Sequence, residues 1–326
     1  MDRRRRRAAV LAAGLAAAAA GAALAAQAPL RALHWLSAAA DPVRALATTP
    51  SECLRAPADA QTALSVEIGR AAFRSPLTLG GQAARAGMAC ETCHQAGRDN
   101  PDFQFPGLSG APGTADVTSS LFSSHRGDGI DDPRPIPDLS GPKARLKVSQ
   151  DPASGRLEPF IRGLVTEEFD GPPPSPAVLA GLAAYVRSLD PAACPATARA
   201  PVTAALYLED ARRAVRAARA LAVRGDAPAA LEMLAAARAR LGQIDERYAG
   251  AALARERERL AEADQGLARA GQAVRAGDPD VAADIDRWLA RSRRLGGELA
   301  RREGASLFAP ERLARIAVRP LPGKAP

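Results

Sequence analysis

Cys90-Glu91-Thr92-Cys93-His94 is the stretch of this chain whose residue types and spacing specify a chemistry. Two thiols one helical turn apart can each add across a vinyl group of one haem, and an imidazole directly after them then lies under the iron as its proximal ligand. With four cysteines and three histidines in 326 residues, composition alone would assemble this pentad in roughly one such chain in two thousand. A thioredoxin-like dithiol would want a preceding strand and a βαβ pattern. A zinc knuckle would want a second close ligand pair. Neither is visible, so the pentad predicts one covalent haem c, bonded to Cys90 and Cys93 and ligated by His94.

The sixth coordination position has one sharp candidate. Between residues 64 and 190, His125 is the only histidine besides His94, and a neutral imidazole is a good second axial ligand; the alternative is a loop histidine at or near the surface. His34, beside Trp35, reads as a surface or packing residue. Met88 stands too close to Cys90 to cross to the distal face, and Met233 reads as helix core. Without His125 the position stays open to a small ligand. Arg126, Arg134 and Arg145 could pair with haem propionates through forked hydrogen bonds, Arg126 being adjacent to His125. Asp128, Asp131 and Asp132 read as solvated turn acids, since no full calcium loop is present. Glu167 and Glu168 read as acids facing solvent at a helix end; over an iron, such a carboxylate would be a general acid or base.

The elements that must position the pentad are helical. Leu64, Ile68 and Ala72 recur at i, i+4 and i+8 until Pro76. Ser175-Pro176 is a helix start, a serine cap followed by proline at the first helical position. Leu179, Leu182, Val186 and Leu189 follow at helical spacing up to Asp190-Pro191. Another amphipathic stripe holds Leu157, Phe160, Ile161, Leu164 and Val165. Residues 95–154 form a long insert rich in Gly, Pro, Ser and Asp, which in a compact domain usually has a job or a bound group to wrap.

The order Ile68-Gly69-Arg70-Ala71-Ala72-Phe73, then the pentad, then Leu182-Ala183-Ala184-Tyr185-Val186-Arg187-Ser188-Leu189 resembles the cytochrome c fold. The resemblance implies an N-terminal helix crossing a C-terminal one beside the haem, with Gly69 allowing close approach and Phe73 and Tyr185 filling the contact. The same run, with Ser75-Pro76-Leu77 and a Gly-rich approach to the pentad, is similar to the first haem domain of bacterial di-haem cytochrome c peroxidases. It covers about residues 64–190. Those enzymes carry a second haem pentad and this chain has one, so the resemblance does not carry peroxidase activity with it.

The first 28 residues read as an export signal or an uncleaved signal anchor. Arginines at 3–7 precede an alanine-rich apolar run, and two small-x-small sites end it. They supply +4 of the net charge of +8, and the mildly basic remainder gives no case for nucleic-acid binding. The expected location is the periplasm, with membrane anchoring if the signal is retained. There Cys53 and Cys194 can form a disulfide closing the module's two ends; the alternative is two free thiols.

Past Cys194 the composition shifts to Ala, Arg and Glu, with almost no aromatics. Gly225-Asp226 and Gly277-Asp278 interrupt long helical patterns, and the stretches around them form a weak repeat. The expected architecture is all-α: signal at 1–28, a monohaem cytochrome c-like domain with long irregular loops at 29–198, and an antiparallel helical bundle at 199–326. The expected function is electron transfer with a redox partner protein in the periplasm or at the membrane; a peroxidase-like enzyme or small-ligand sensor is the alternative. The bundle would dock a partner, make an oligomer, or simply extend the structure.

Overall fold

The computed structural model describes residues 30–140, 146–195 and 198–317. The export segment at 1–28 and Arg145 lie outside the described residues. The chain is mostly helical. In chain order, the short helix α1 (Pro42–Ala47) precedes the first long helix, α2 (Ala60–Phe73), and the short helices α3 (Pro76–Leu79), α4 (Gly81–Ala86) and α5 (Cys90–Cys93) follow it. Helices α6 (Leu157–Gly163) and α7 (Pro176–Ser188) close the first segment. Four long helices follow, α8 (Ala204–Val223), α9 (Ala227–Arg247), α10 (Ala254–Ala276) and α11 (Val281–Arg302), then α12 (Pro310–Ala317). The strands are short antiparallel pairs: β1 (Thr48–Pro50) with β4 (Arg199–Pro201), and β2 (Thr114–Ala115) with β3 (Arg134–Pro135).

Local chemistry sets the helix ends. Asp59 caps α2 by accepting from the Thr62 amide, and Thr203 caps α8 by accepting from Leu206. At the first Gly-Asp break, Gly225 takes the left-handed conformation that ends α8, and the Asp226 carboxylate accepts from the Ala229 amide to start α9. That tight turn sends α9 back along α8, and Gly277 ends α10 in the same way before α11. Ser175 does precede α7, with Pro176 at its first position, but its hydroxyl is buried without a hydrogen bond instead of capping.

Helices α2 and α7 cross at two glycines. A Cβ on Gly69 would stand 1.9 Å from the Gly181 carbonyl oxygen, so only glycine admits this approach. One turn further, the Phe73 and Tyr185 rings meet with centroids 5.0 Å apart. Cys53 and Cys194 are disulfide-bonded. The bond ties the chain just after β1 to the chain just before β4.

The composition shift at residue 199 divides the sequence, yet the main core runs through it. Val66, Ile68, Phe73, Leu182 and Tyr185 share one buried cluster with Leu208, Ala211, Val215, Met233, Leu234 and Leu241. Helix α12 returns to the N-terminal part, where Leu313 packs with Leu30, Leu46 and Ala47. Among the described residues, no helix is long and apolar enough to cross a membrane.

Candidate functional site

Helix α5 is a single turn that holds both cysteines of the pentad. The Thr92 hydroxyl accepts from the Ala89 amide at its start, and the His94 amide donates to the Cys90 carbonyl at its end. The chain then bends sharply. Ala96 has φ 56° and Gly97 φ 79°, and a Cβ on Gly97 would strike the Leu189 side chain at 2.4 Å. This bend lets the Gly97 carbonyl accept from the Leu139 amide at 2.9 Å. The insert segment 136–139 is thereby laid beside the pentad.

That placement decides the protonation of His94. Its Nδ1 lies 3.0 Å from the Pro137 carbonyl oxygen, and a carbonyl can only accept, so Nδ1 carries the proton and Nε2 keeps its lone pair. Burial holds the imidazole's pKa down at about 4, against the small upward pulls of the Pro137 hydrogen bond and Asp138. A neutral, oriented imidazole with a free Nε2 is the form that ligates a metal. The Phe73 ring stands 6.4 Å from the imidazole, so the α2–α7 crossing also supports it.

Cys90 and Cys93 are free thiols. Each keeps part of its surface accessible, yet protein encloses it densely enough that burial pushes the thiol up to about 12. Both pack against a second apolar cluster of Leu79, Met88, Phe103, Phe122, Val165 and Phe169. Two thiols and an imidazole with a free nitrogen, beside a large apolar surface, fit covalent haem c: a macrocycle needs apolar contact, two vinyl attachment points and one axial nitrogen. Cys90, Cys93 and His94 would hold it.

His125 and Arg126, expected on the distal side, both carry solvent-exposed side chains that pair with acids. The His125 side chain is 61% exposed, and its Nδ1 is 3.0 Å from the Asp170 carboxylate. Arg126 is also exposed; its Nε donates to Glu167 at 2.9 Å, and its guanidinium lies 3.7 Å from Glu168. Both adjoin the second cluster through Phe122 and Phe169, with their own side chains turned to solvent. Asp132 pairs with Arg134, and Asp128 accepts from the Ile130 amide. Among the described residues, no group of three or more His, Cys, Asp or Glu could hold a metal ion by itself. His34 is exposed.

Glu168 departs from the expectation of a solvent-facing acid. It is 4% exposed, on a π-helical turn over Leu164–Glu168, and its Oε2 is buried without a partner. Burial raises its pKa, against the pull of Lys147 and Arg126. Its neighbours Val165 and Phe169 belong to the cluster that touches both pentad cysteines. π-Helical turns are frequent at functional sites.

Charge pattern concealed a second feature. Glu91, inside the pentad, is gripped by two arginines: Arg74 Nε at 3.0 Å and Arg240 Nη2 at 2.6 Å. Arg74 also reaches Asp210 at 2.7 Å and Glu52 at 2.9 Å, and the Tyr185 hydroxyl donates to Glu52 at 2.7 Å. Burial alone would raise Glu52 and Asp210, but Arg74, with Arg70 at the first and Arg240 at the second, holds both below the usual carboxylate range. Acids and arginines scattered from residue 52 to 240 carry no spacing that announces a cluster.

No protein-family model matches the chain, and neither a curated protein nor a solved structure is similar to it.

Proposed function

We propose that this protein is an exported monohaem c-type cytochrome that transfers electrons in a periplasmic redox chain. The observation that carries the reading is the pentad's geometry. The Pro137 carbonyl fixes the His94 tautomer with Nε2 free, beside two unbonded thiols on one helical turn. The glycine-mediated crossing of α2 and α7, with Phe73 between Tyr185 and His94, supports a cytochrome c-like arrangement. Bound haem supplies a one-electron ferric/ferrous couple. Cys90 and Cys93 would fix its position, His94 would supply an axial nitrogen, and the apolar cluster would exclude water. The disulfide fits an oxidising compartment.

A second reading is favoured by Glu168 together with the exposure of His125. If His125 stays on Asp170, the sixth position is open. A buried carboxyl at the cluster's edge, its pKa raised by burial, could then hand a proton to or from a small bound ligand, as a peroxidase-like enzyme or ligand sensor requires.

One experiment separates them. Optical spectra of the matured protein are recorded in ferric and ferrous forms, with and without carbon monoxide. A low-spin iron indifferent to carbon monoxide is the electron carrier's signature. A high-spin iron that binds it shifts the assignment to the open site. Absence of covalent haem removes both.

A further inference from the structure

The buried ion cluster joins the haem-binding turn to the C-terminal bundle. Within it are three acids, Glu52, Glu91 and Asp210, and three arginines, Arg70, Arg74 and Arg240, with one further pair at its edge, Arg213 at 3.2 Å from Asp210 and Glu67 at 3.6 Å from Arg70. Their formal charges cancel. Arg74, Asp210 and Arg240 are each no more than 8% exposed, so the cluster sits where charge is poorly screened. On a single helical turn, Glu91 projects from the face opposite Cys90 and Cys93. Its carboxylate is therefore pulled away from the thiols, toward α9 and α2. Arg240 belongs to α9, 149 residues further along the chain, and spans from Glu91 to Gln243 and within 3.5 Å of Asp210.

We propose that Arg240 is a positioning residue for the haem-binding turn, and that the balanced cluster it completes sets the reduction potential of the haem. The bundle is then part of the redox centre's electrostatics. This rests on the haem reading given above. Deleting one charge from these paired groups leaves an uncompensated charge beside the turn that would hold the haem, since Glu91 stands between Cys90 and Cys93. Loss of the Arg240 cation leaves the cluster net negative and stabilises the ferric form; loss of the Glu91 anion leaves it net positive and stabilises the ferrous form.

The test is potentiometric titration of matured holoprotein in five forms: R240Q, R240K, E91Q, R240Q/E91Q and wild type. The expected result is a lower midpoint potential in R240Q, a higher one in E91Q, and a return toward wild type in the double variant. R240K, which keeps charge but not the planar fork, stays nearer to wild type than R240Q does. In the same proteins made without haem, the urea midpoint falls in each single variant and recovers in the double. Shifts of the same sign in both single variants, or potentials unmoved while haem is retained, overturn the proposal. If R240Q fails to accumulate, E91Q decides it alone: a potential that does not rise is a refutation. Wild-type protein without covalent haem refutes the haem reading instead, and is recognised before any titration.

Discussion

Gly69→Ala isolates the α2–α7 crossing from everything else in the molecule. The added methyl would stand 1.9 Å from the Gly181 carbonyl oxygen and 2.3 Å from its carbon, where a carbon–oxygen contact wants roughly 3.3 Å or more. Both offending atoms are backbone on a packed helix, so no side chain can rotate away, and the helices must part by more than about 1 Å. Overpacking of this kind costs about 1–3 kcal/mol, and rigid partners place it at the upper end. Against it stands the gain of roughly 1 kcal/mol from replacing an interior helical glycine by alanine. The expected net loss is about 2 kcal/mol, or roughly 4–8 °C in melting temperature. Gly242→Ala in α9 supplies the control. A Cβ there meets nothing within 4 Å, so the propensity gain of about 1 kcal/mol stands alone. Urea unfolding of both variants followed by circular dichroism decides it. A Gly69→Ala protein as stable as Gly242→Ala would refute the close crossing, and with it the support Phe73 gives to His94.

Removing the Cys53–Cys194 bridge with a double serine variant should destabilise the oxidised protein by up to about 5 kcal/mol, the chain-entropy value for so long a loop, measured by the same urea titration; the separation is 141 residues. The pKa values of Glu52 and Asp210 lie below their ordinary values of 4.5 and 3.8. Their contribution is therefore present above those values and lost as pH falls through the lowered ones, so the urea midpoint should drop in acid below about pH 4.5. An acid limb unchanged in Glu52→Gln would count against that. Glu168 has the opposite sign: its raised pKa gives a contribution that is full below 4.5 and lost as pH rises through the folded value. Glu168→Gln should hence be more stable than wild type at neutral pH and lack this loss, as paired unfolding curves at pH 4 and 7 would show.

The parts of the fold legible in the sequence are those that local chemistry dictates. The helical stripes around Ile68 and Leu182 are α2 and α7, and both Gly-Asp pairs end helices as expected, because a left-handed glycine acts within a few residues and Asp226 caps the helix after the first pair. The close approach at Gly69 is implied by the resemblance to the cytochrome c fold, whereas its partner Gly181 comes only from the structure. The pentad was equally plain. Its supports were not, because they come from far along the chain. Pro137 reaches His94 through the fold of an irregular insert, in which no periodicity says which carbonyl will face the ring. Glu168 looks solvent-facing by its neighbour Glu167, and only the π-helical turn rotates it inward. Arg240 lies two residues from Arg238, which faces solvent, and nothing in the spacing says which of the two turns inward.

The cluster around Glu91 is not explained by stability alone. Buried ion pairs lose in desolvation much of what they gain in attraction, and apolar replacements are often as stable. What they supply is discrimination between nearly equivalent packings. The faces that α8 and α9 bury are rich in alanine: Ala211, Ala214, Ala217 and Ala218 on one, Ala229, Ala230, Ala236 and Ala237 on the other. Such faces have little relief to fix the register, which rests on the short Gly225-Asp226 turn, on larger side chains such as Leu208, Met233 and Leu234, and on the charges; a slip of one helical turn is about 5.4 Å. The ionic contacts do not slide. Such a slip would carry Arg240 away from Glu91 and Asp210 and leave buried charges unpaired, at a cost of about 3–5 kcal/mol. The alanine faces let the helices approach closely, and the charges help to fix the register in which α9 meets the Cys90–Cys93 turn.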